Sequence, residues 1–244
     1  MMAAWVEPFL PAPSLVAWLL PAAAIYAGAA AALAAHLRVA RGVRTPYTRK
    51  VFHFLIFSAA GAIQILWGLP GVVVFGSVTS AIVLFAVWRG DGFPFYEAMA
   101  RPGDAPRRTL FILIPLVTTA LGGVVSNLAF PAYAYAGYLV CGWGDAAGEP
   151  VGTRWGRHRY RVPSMGGVPA TRSLEGSAAV FTAGAAATAI ALLASGAPAP
   201  EAGLIALAAG LAGALVEAVS THGLDNFTVQ VAASAAAQGA ALLL

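Results

Sequence analysis

Long uninterrupted apolar runs dominate this chain of 244 residues, and they leave one broad architecture open to it. About 20 apolar residues cross the ~30 Å hydrocarbon core of a bilayer as a helix. Peptide groups in lipid must be satisfied within their own element, so such runs are spanning helices. Read along the chain, they fall at 14–37, 51–69, 71–88, 109–128, 131–150, 173–194, 201–219 and 226–244. The expected fold is therefore all-α: a polytopic membrane bundle of about eight helices, forming a single membrane domain over 1–244. Only 10% of the residues are charged, against roughly 25% in a soluble domain.

The charges are as informative as the apolar runs. All 14 Lys and Arg lie in three stretches, 38–50, 89–108 and 154–172. Under the positive-inside rule these are three cytoplasmic loops, each between an inward-running and an outward-running span. Both termini then lie outside, and the expected location is the cell's inner membrane with the site facing the cytoplasm. The first 14 residues hold Glu7 and no basic residue, so the first run reads as a retained span, not a cleaved signal. The net charge of +4 describes these loops and does not indicate a nucleic-acid partner. Lys50 is the only lysine, which excludes a GxxxxGK[ST] phosphate loop, and the single Cys141 excludes an intrachain disulfide or a cysteine metal cluster.

Most ionisable residues map to the same side. His36, His53, Asp145, Glu149, His158, Glu175, Glu217, His222 and Asp225 all fall at cytoplasmic span ends or in cytoplasmic loops, while Glu7 and Glu201 are left outside. Ionisable groups at membrane depth are costly and point to function. A one-sided cluster argues for chemistry at the inner leaflet, whereas a transporter needs polar groups near the midplane and a route to both faces.

Asp145 and Glu149 are four residues apart with small residues between them, in Gly144-Asp-Ala-Ala-Gly148-Glu-Pro-Val-Gly152. On a helix they share a face. Mg²⁺ suits such a pair, because it takes one or two carboxylates and fills its shell with water and phosphate oxygens. Five arginines then follow within 154–172, on glycine-containing backbone. Arg154, Arg157 and Arg172, with Gly156, suit a polyphosphate, since guanidinium binds phosphate bidentately. Ser173 is placed to cap the sixth span, whose amino end favours an anion. Glu175, one turn into that span, needs an arginine or a metal. The last cluster is Glu217, Ser220, His222, Asp225, Asn226 and Thr228; Asp225 or Asn226 is expected to cap the eighth span. Lys50 and His53 form a further basic element at the start of the second span.

As an ordered set these residues resemble the membrane-embedded polyprenol kinase family, which includes dolichol, phytol and farnesol kinases and the CTP-dependent diacylglycerol kinase. Phosphatidate cytidylyltransferases are a more distant likeness. The carriers are Arg49-Lys50-x-x-His53, the Gly144-Asp145 run through Gly156-Arg157, Thr171-Arg172-Ser173-x-Glu175-Gly-Ser177, and Glu217 with Asp225-Asn226-x-Thr228-Val229. The final element is most similar to the phytol kinase branch. The sequence departs from the commoner pattern at Glu149-Pro150 and in the insert 162–170, which leaves the nucleotide open.

The resemblance implies transfer of the γ-phosphoryl of a nucleotide, commonly CTP, to a membrane lipid alcohol, with Mg²⁺. It implies Asp145, with Glu149, Asp225 or Asn226, at the metal. Lys50, His53, Arg154, Gly156, Arg157, Arg172, Ser173 and Glu175 are then expected at the nucleotide, and Asp145 or Glu217 as the acceptor's base. The alternatives are a CDP-lipid-forming enzyme using the same site, or a small transporter.

Overall fold

The computed structural model describes residues 9–163, 170–221 and 223–244. Helices α1 (Pro13–Val39), α2 (Thr45–Arg89), α3 (Pro94–Met99), α4 (Leu110–Ala129) and α5 (Ala134–Trp155) are followed by two short strands, β1 (Arg159–Val162) and β2 (Ala170–Ser173). Helices α6 (Leu174–Ala194), α7 (Ala199–Val219) and α8 (Asp225–Ala241) complete the chain. Among the described residues the one sheet is this antiparallel hairpin, in which Tyr160 lies opposite Arg172. The hairpin is an element that the sequence reading did not contain.

Among the described residues, α1, α2, α4, α6 and α7 are long and apolar enough to cross a membrane. Two further helices, α5 and α8, coincide with runs expected to span; α5 carries Asp145, Glu149 and Arg154, and α8 is only 17 residues long and carries Asn226, Gln230 and Gln238. Helix α2 covers two expected spans at once. Its 45 residues would measure nearly 70 Å if straight, about twice a hydrocarbon core. It is not straight. Gly68 has φ +61°, in the left-handed region that glycine enters without a Cβ clash. Beyond it, a Cβ on Gly71 would sit 2.9 Å from the Ile63 side chain, although eight residues of continuous helix would separate the two by about 12 Å. The chain turns back on itself here.

The chain forms two compact units that meet at Thr109 and Leu110 in sequence. In the first, α1 buries a stripe of Leu19, Ala23, Ala27, Ala30, Ala31 and Ala34, the spacing of one helix face. Tyr26 bridges both halves of α2: its hydroxyl donates to the Leu55 carbonyl (3.0 Å) and its ring packs on Phe75. Thr48 donates to the Ala98 carbonyl at 2.7 Å, fixing the start of α2 to α3.

The turn-rich stretch after α2 yielded no reading from sequence, yet it is built around Arg108. The guanidinium contacts Asp91 and Glu97, each at 2.7 Å, and lies over the Tyr96 ring. Burial works to raise the Glu97 pKa. The Arg108 hydrogen bond, the Gly92 amide and the nearby positive charge outweigh it and hold Glu97 below the usual carboxylate range.

In the second unit, α5 packs on α4, α6, α7 and α8. Gly144, Gly148 and Gly152 recur every fourth residue, and a Cβ on any of them would press into Val180, Gly176 or Ser173. In lipid, helix association depends on close van der Waals packing, which small residues permit. These glycines, which the sequence suggests as space beside the acids, in fact let α6 lie against α5.

Replacing Gly148 with Ala is expected to destabilise the protein by about 1–3 kcal/mol through overpacking. Gly28→Ala on α1, where nothing lies within 4 Å, is expected to stabilise it by about 0.5–1 kcal/mol. Denaturant unfolding in detergent measures both.

Candidate active site

The close approach of α5 and α6 sets where the hairpin emerges. Ser173 ends β2 and caps α6, its hydroxyl accepting from the Gly176 amide at 3.1 Å, as its position in the sequence suggests. Glu175 in the first turn pairs not with an arginine but with His158: Nδ1 lies 2.8 Å from the carboxylate, and the His158 amide also donates to it. Tyr160 and Ser177 share a hydroxyl contact at 3.0 Å. These bonds hold the hairpin on the amino end of α6. Arg159 and Arg161 then face solvent, while Arg172 on the opposite strand turns inward.

Arg172 reaches the junction of α7 and α8. Its guanidinium forms ion pairs with Glu217 and with Asp225 (3.0 Å), and donates to the Ser220 carbonyl (3.3 Å). All three side chains are largely buried, at 14%, 11% and 14% exposure for Arg172, Glu217 and Asp225. In such surroundings a carboxylate or guanidinium needs its partner, because desolvation of a lone ion costs several kcal/mol. The junction itself is pinned. Asp225 Oδ1 accepts from the Gly223 and Asn226 amides, Ser220 and Thr228 share a hydroxyl contact at 2.7 Å, and Thr118 of α4 donates to the Gly223 carbonyl at 2.6 Å. Asp225 thus serves the first turn of α8 from inside the helix, and the residue before it, Leu224, gives no side-chain cap.

Beside Arg172 lies a narrow cleft lined by Val140, Cys141, Asp145, Val180, Glu217, Asp225, Asn226 and Val229. Asp145, Glu217, Asp225 and Asn226, expected at the metal or the base, therefore share one wall system drawn from α5, α7 and α8. Asn226 is oriented by α4: its Nδ2 donates to Thr119 Oγ1 (2.8 Å) and the Pro115 carbonyl (3.4 Å), and its Oδ1 accepts from Cys141 Sγ at 3.7 Å. The polar donors are oxygens, which suits a hard cation. Among the described residues no three His, Cys, Asp or Glu side chains group closely enough to hold a metal unaided. Mg²⁺ takes one or two carboxylates and completes its shell with substrate phosphates and water, and Asp145 and Asn226 are the cleft residues that could hold it.

The other expected site residues are not among those lining the cleft. Glu149, one turn beyond Asp145, is not among the cleft-lining side chains. Arg154 stacks on Trp155, and both it and Arg157 are exposed. Gly156 abuts Ser173 and the Gly152 carbonyl, so packing accounts for its lack of a side chain. Lys50 and His53 belong to the first unit, where Lys50 is buried and His53 stacks on Phe57 at 4.2 Å. His222, Glu7 and residues 164–169 of the insert lie outside the described residues. The sequence reading missed Cys141, Pro115, Thr118 and Thr119; its available signal was the pair of threonines interrupting the apolar run of α4.

No family model matches the chain, and no solved structure matches it. A phytol kinase from Synechocystis sp. is 31% identical over 185 residues, covering 75% of this chain and 74% of that protein. The chain belongs to the polyprenol/phytol kinase family. The match is longer than either compact unit, so the relationship to the phytol kinase reaches into both.

Arg172→Gln is expected to cost about 3 kcal/mol of stability, because it leaves Glu217 and Asp225 without their counterion. In the Arg172→Gln background, Glu217→Gln should then cost about 1–3 kcal/mol less than in the wild type. A double-mutant cycle of unfolding free energies reads this coupling, and simple additivity would contradict the ion pair.

Proposed function

We propose that this member of the polyprenol/phytol kinase family transfers the γ-phosphoryl group of a nucleoside triphosphate, CTP in the family it resembles, to the hydroxyl of an isoprenoid alcohol such as phytol. The observation that carries the reading is the cleft on which Asp145, Glu217, Asp225 and Asn226 converge from separate elements, with Arg172 paired to Glu217 and Asp225, in a chain related to a phytol kinase. Phosphoryl transfer asks a protein chiefly to position groups and neutralise charge, and a cleft of oxygen donors with a buried guanidinium offers both.

Asp145 and the Asn226 carbonyl are the groups assigned to Mg²⁺. When bound, the ion supplies charge neutralisation and alignment of the triphosphate. Arg172, held by Glu217 and Asp225, is assigned to the phosphates, where guanidinium makes paired hydrogen bonds. Arg154 and Arg157 are exposed at the outer edge and suit the far end of the nucleotide. Glu217, paired with Arg172, is assigned to accept the alcohol's proton, a modest demand when the transition state is loose. The alcohol approaches from the bilayer, its hydroxyl at the interface and its chain among the apolar helices.

The basic stretches support a cytoplasmic site in the inner membrane by the positive-inside rule. They are compatible with eight crossings if the two halves of α2, with α5 and α8, each traverse.

Purified protein in detergent, given Mg²⁺ and CTP labelled at the α or γ position with phytol, farnesol, diacylglycerol and a lipid phosphate such as phosphatidate, tests the reading. Label is expected to pass from the γ position to an isoprenoid alcohol, and Asp145→Asn is expected to lower the rate by about 10²–10⁴-fold. Label arriving from the α position would make the protein a cytidylyltransferase, and transfer to no alcohol would overturn the kinase reading.

A further inference from the structure

We propose that Thr119, on α4, is a positioning residue that, together with the Pro115 carbonyl beside it, holds the Asn226 amide with its oxygen toward the cleft. This rests on the kinase reading, in which Asn226 meets the cation with its oxygen. An asparagine amide has two ends of nearly the same shape and opposite chemistry: the oxygen accepts and the NH₂ only donates. An NH₂ group turned into the cleft would repel a cation. Something must fix the choice.

Helix α4 does so. Asn226 Nδ2 donates to Thr119 Oγ1 at 2.8 Å and points at the Pro115 carbonyl at 3.4 Å. The Thr119 hydroxyl can serve either end of an amide, but the Pro115 carbonyl cannot donate, so a flipped amide would set oxygen against oxygen there; the carbonyl selects the orientation and Thr119 anchors it. With its NH₂ engaged on α4, the amide turns Oδ1 toward Cys141 and the cleft. Thr119 also holds α8 a second time, through its own carbonyl, which accepts from Gln230 Nε2 at 3.4 Å. Gln230 is fully buried and reaches back to the Asn226 carbonyl as well. Gly122, less than one turn along α4, brings the backbones together: a Cβ there would lie 3.1 Å from the Asn226 carbonyl oxygen. Thr119 thus holds the amide itself, while Gln230 and Gly122 fix the backbone that carries it, as groups behind a metal ligand commonly do.

Thr119→Val keeps the shape and removes the acceptor. The expected result is a rise of about 10- to 100-fold in the Mg²⁺ concentration giving half-maximal transfer, with a lowered kcat and little change in the KM for the alcohol. Thr119→Ser, which restores the hydroxyl, is expected to restore both. A second readout needs no metal, nucleotide or turnover. Cys141 is the only cysteine in the chain, so the infrared S–H stretching band reports one thiol, and that thiol donates to Asn226 Oδ1. The band is expected to move in Thr119→Val and in Thr119→Ala, in the same direction as in Asn226→Ala, and to stay in place in Thr119→Ser. An S–H band unmoved in both the Val and Ala variants, or wild-type Mg²⁺ dependence in Thr119→Val, would overturn the proposal. If the wild type itself transfers no label, the kinase reading fails, and the S–H band alone decides whether Thr119 sets the Asn226 amide.

Discussion

The approach of α5 to α6 is the constraint on which the candidate site depends. Two helices in an apolar medium gain little from hiding apolar surface, and they associate closely only where small residues let their backbones meet. Gly144, Gly148 and Gly152 supply that contact, with Val180, Gly176 and Ser173 on the other side. Because Ser173 is held against the end of α5, β2 has to leave α6 directly above the α7–α8 junction. Arg172 is the residue before Ser173. Its reach to Glu217 and Asp225 follows from a helix crossing set by three missing side chains.

The Arg172 cluster joins parts of the chain that are far apart in sequence. It ties the hairpin to the carboxyl end of α7 and the amino end of α8, while Thr118 and Thr119 bring α4 to the same place. Acids that would repel one another are held together by a guanidinium, and an amide is held in one orientation beside them. Both devices suit the triphosphate and cation of the proposed reaction: a buried guanidinium and oxygen-bearing side chains stand side by side.

Much of this was legible in the sequence because charge is so scarce there. In a chain with so few ionisable groups, Asp145, Glu217 and Asp225 stand out against Ala, Val and Leu, and each reaches the cleft. Asn226 was legible as the neighbour of Asp225. What could not be read is which partner each residue takes. Glu175 was expected to need an arginine or a metal, and the hairpin supplies His158 instead, a pairing created by strand register that no local pattern announces. The glycines beside Asp145 carry the signature of close approach, but sequence does not say whether a phosphate or another helix approaches. The turn at Gly68 was seen as a break between two spans. The Arg108 cluster escaped because its acids, Asp91 and Glu97, lie 17 and 11 residues away, a spacing that belongs to no helix or strand. Thr119 escaped for a different reason: a threonine in a spanning helix usually bonds its own backbone, and only the packing of α8 gives it another role.

The most direct test of the account asks whether the cation and nucleotide bind among these residues. Mn²⁺ in place of Mg²⁺, with a non-hydrolysable nucleoside triphosphate analogue, can be followed by pulsed EPR in protein carrying ¹³C-carboxylate aspartate. The account predicts a strong ¹³C coupling to the ion that is lost in Asp145→Asn and retained in Asp91→Asn, whose carboxylate sits with Arg108 in the first unit. A coupling indifferent to Asp145→Asn, or none in the nucleotide complex, would contradict it.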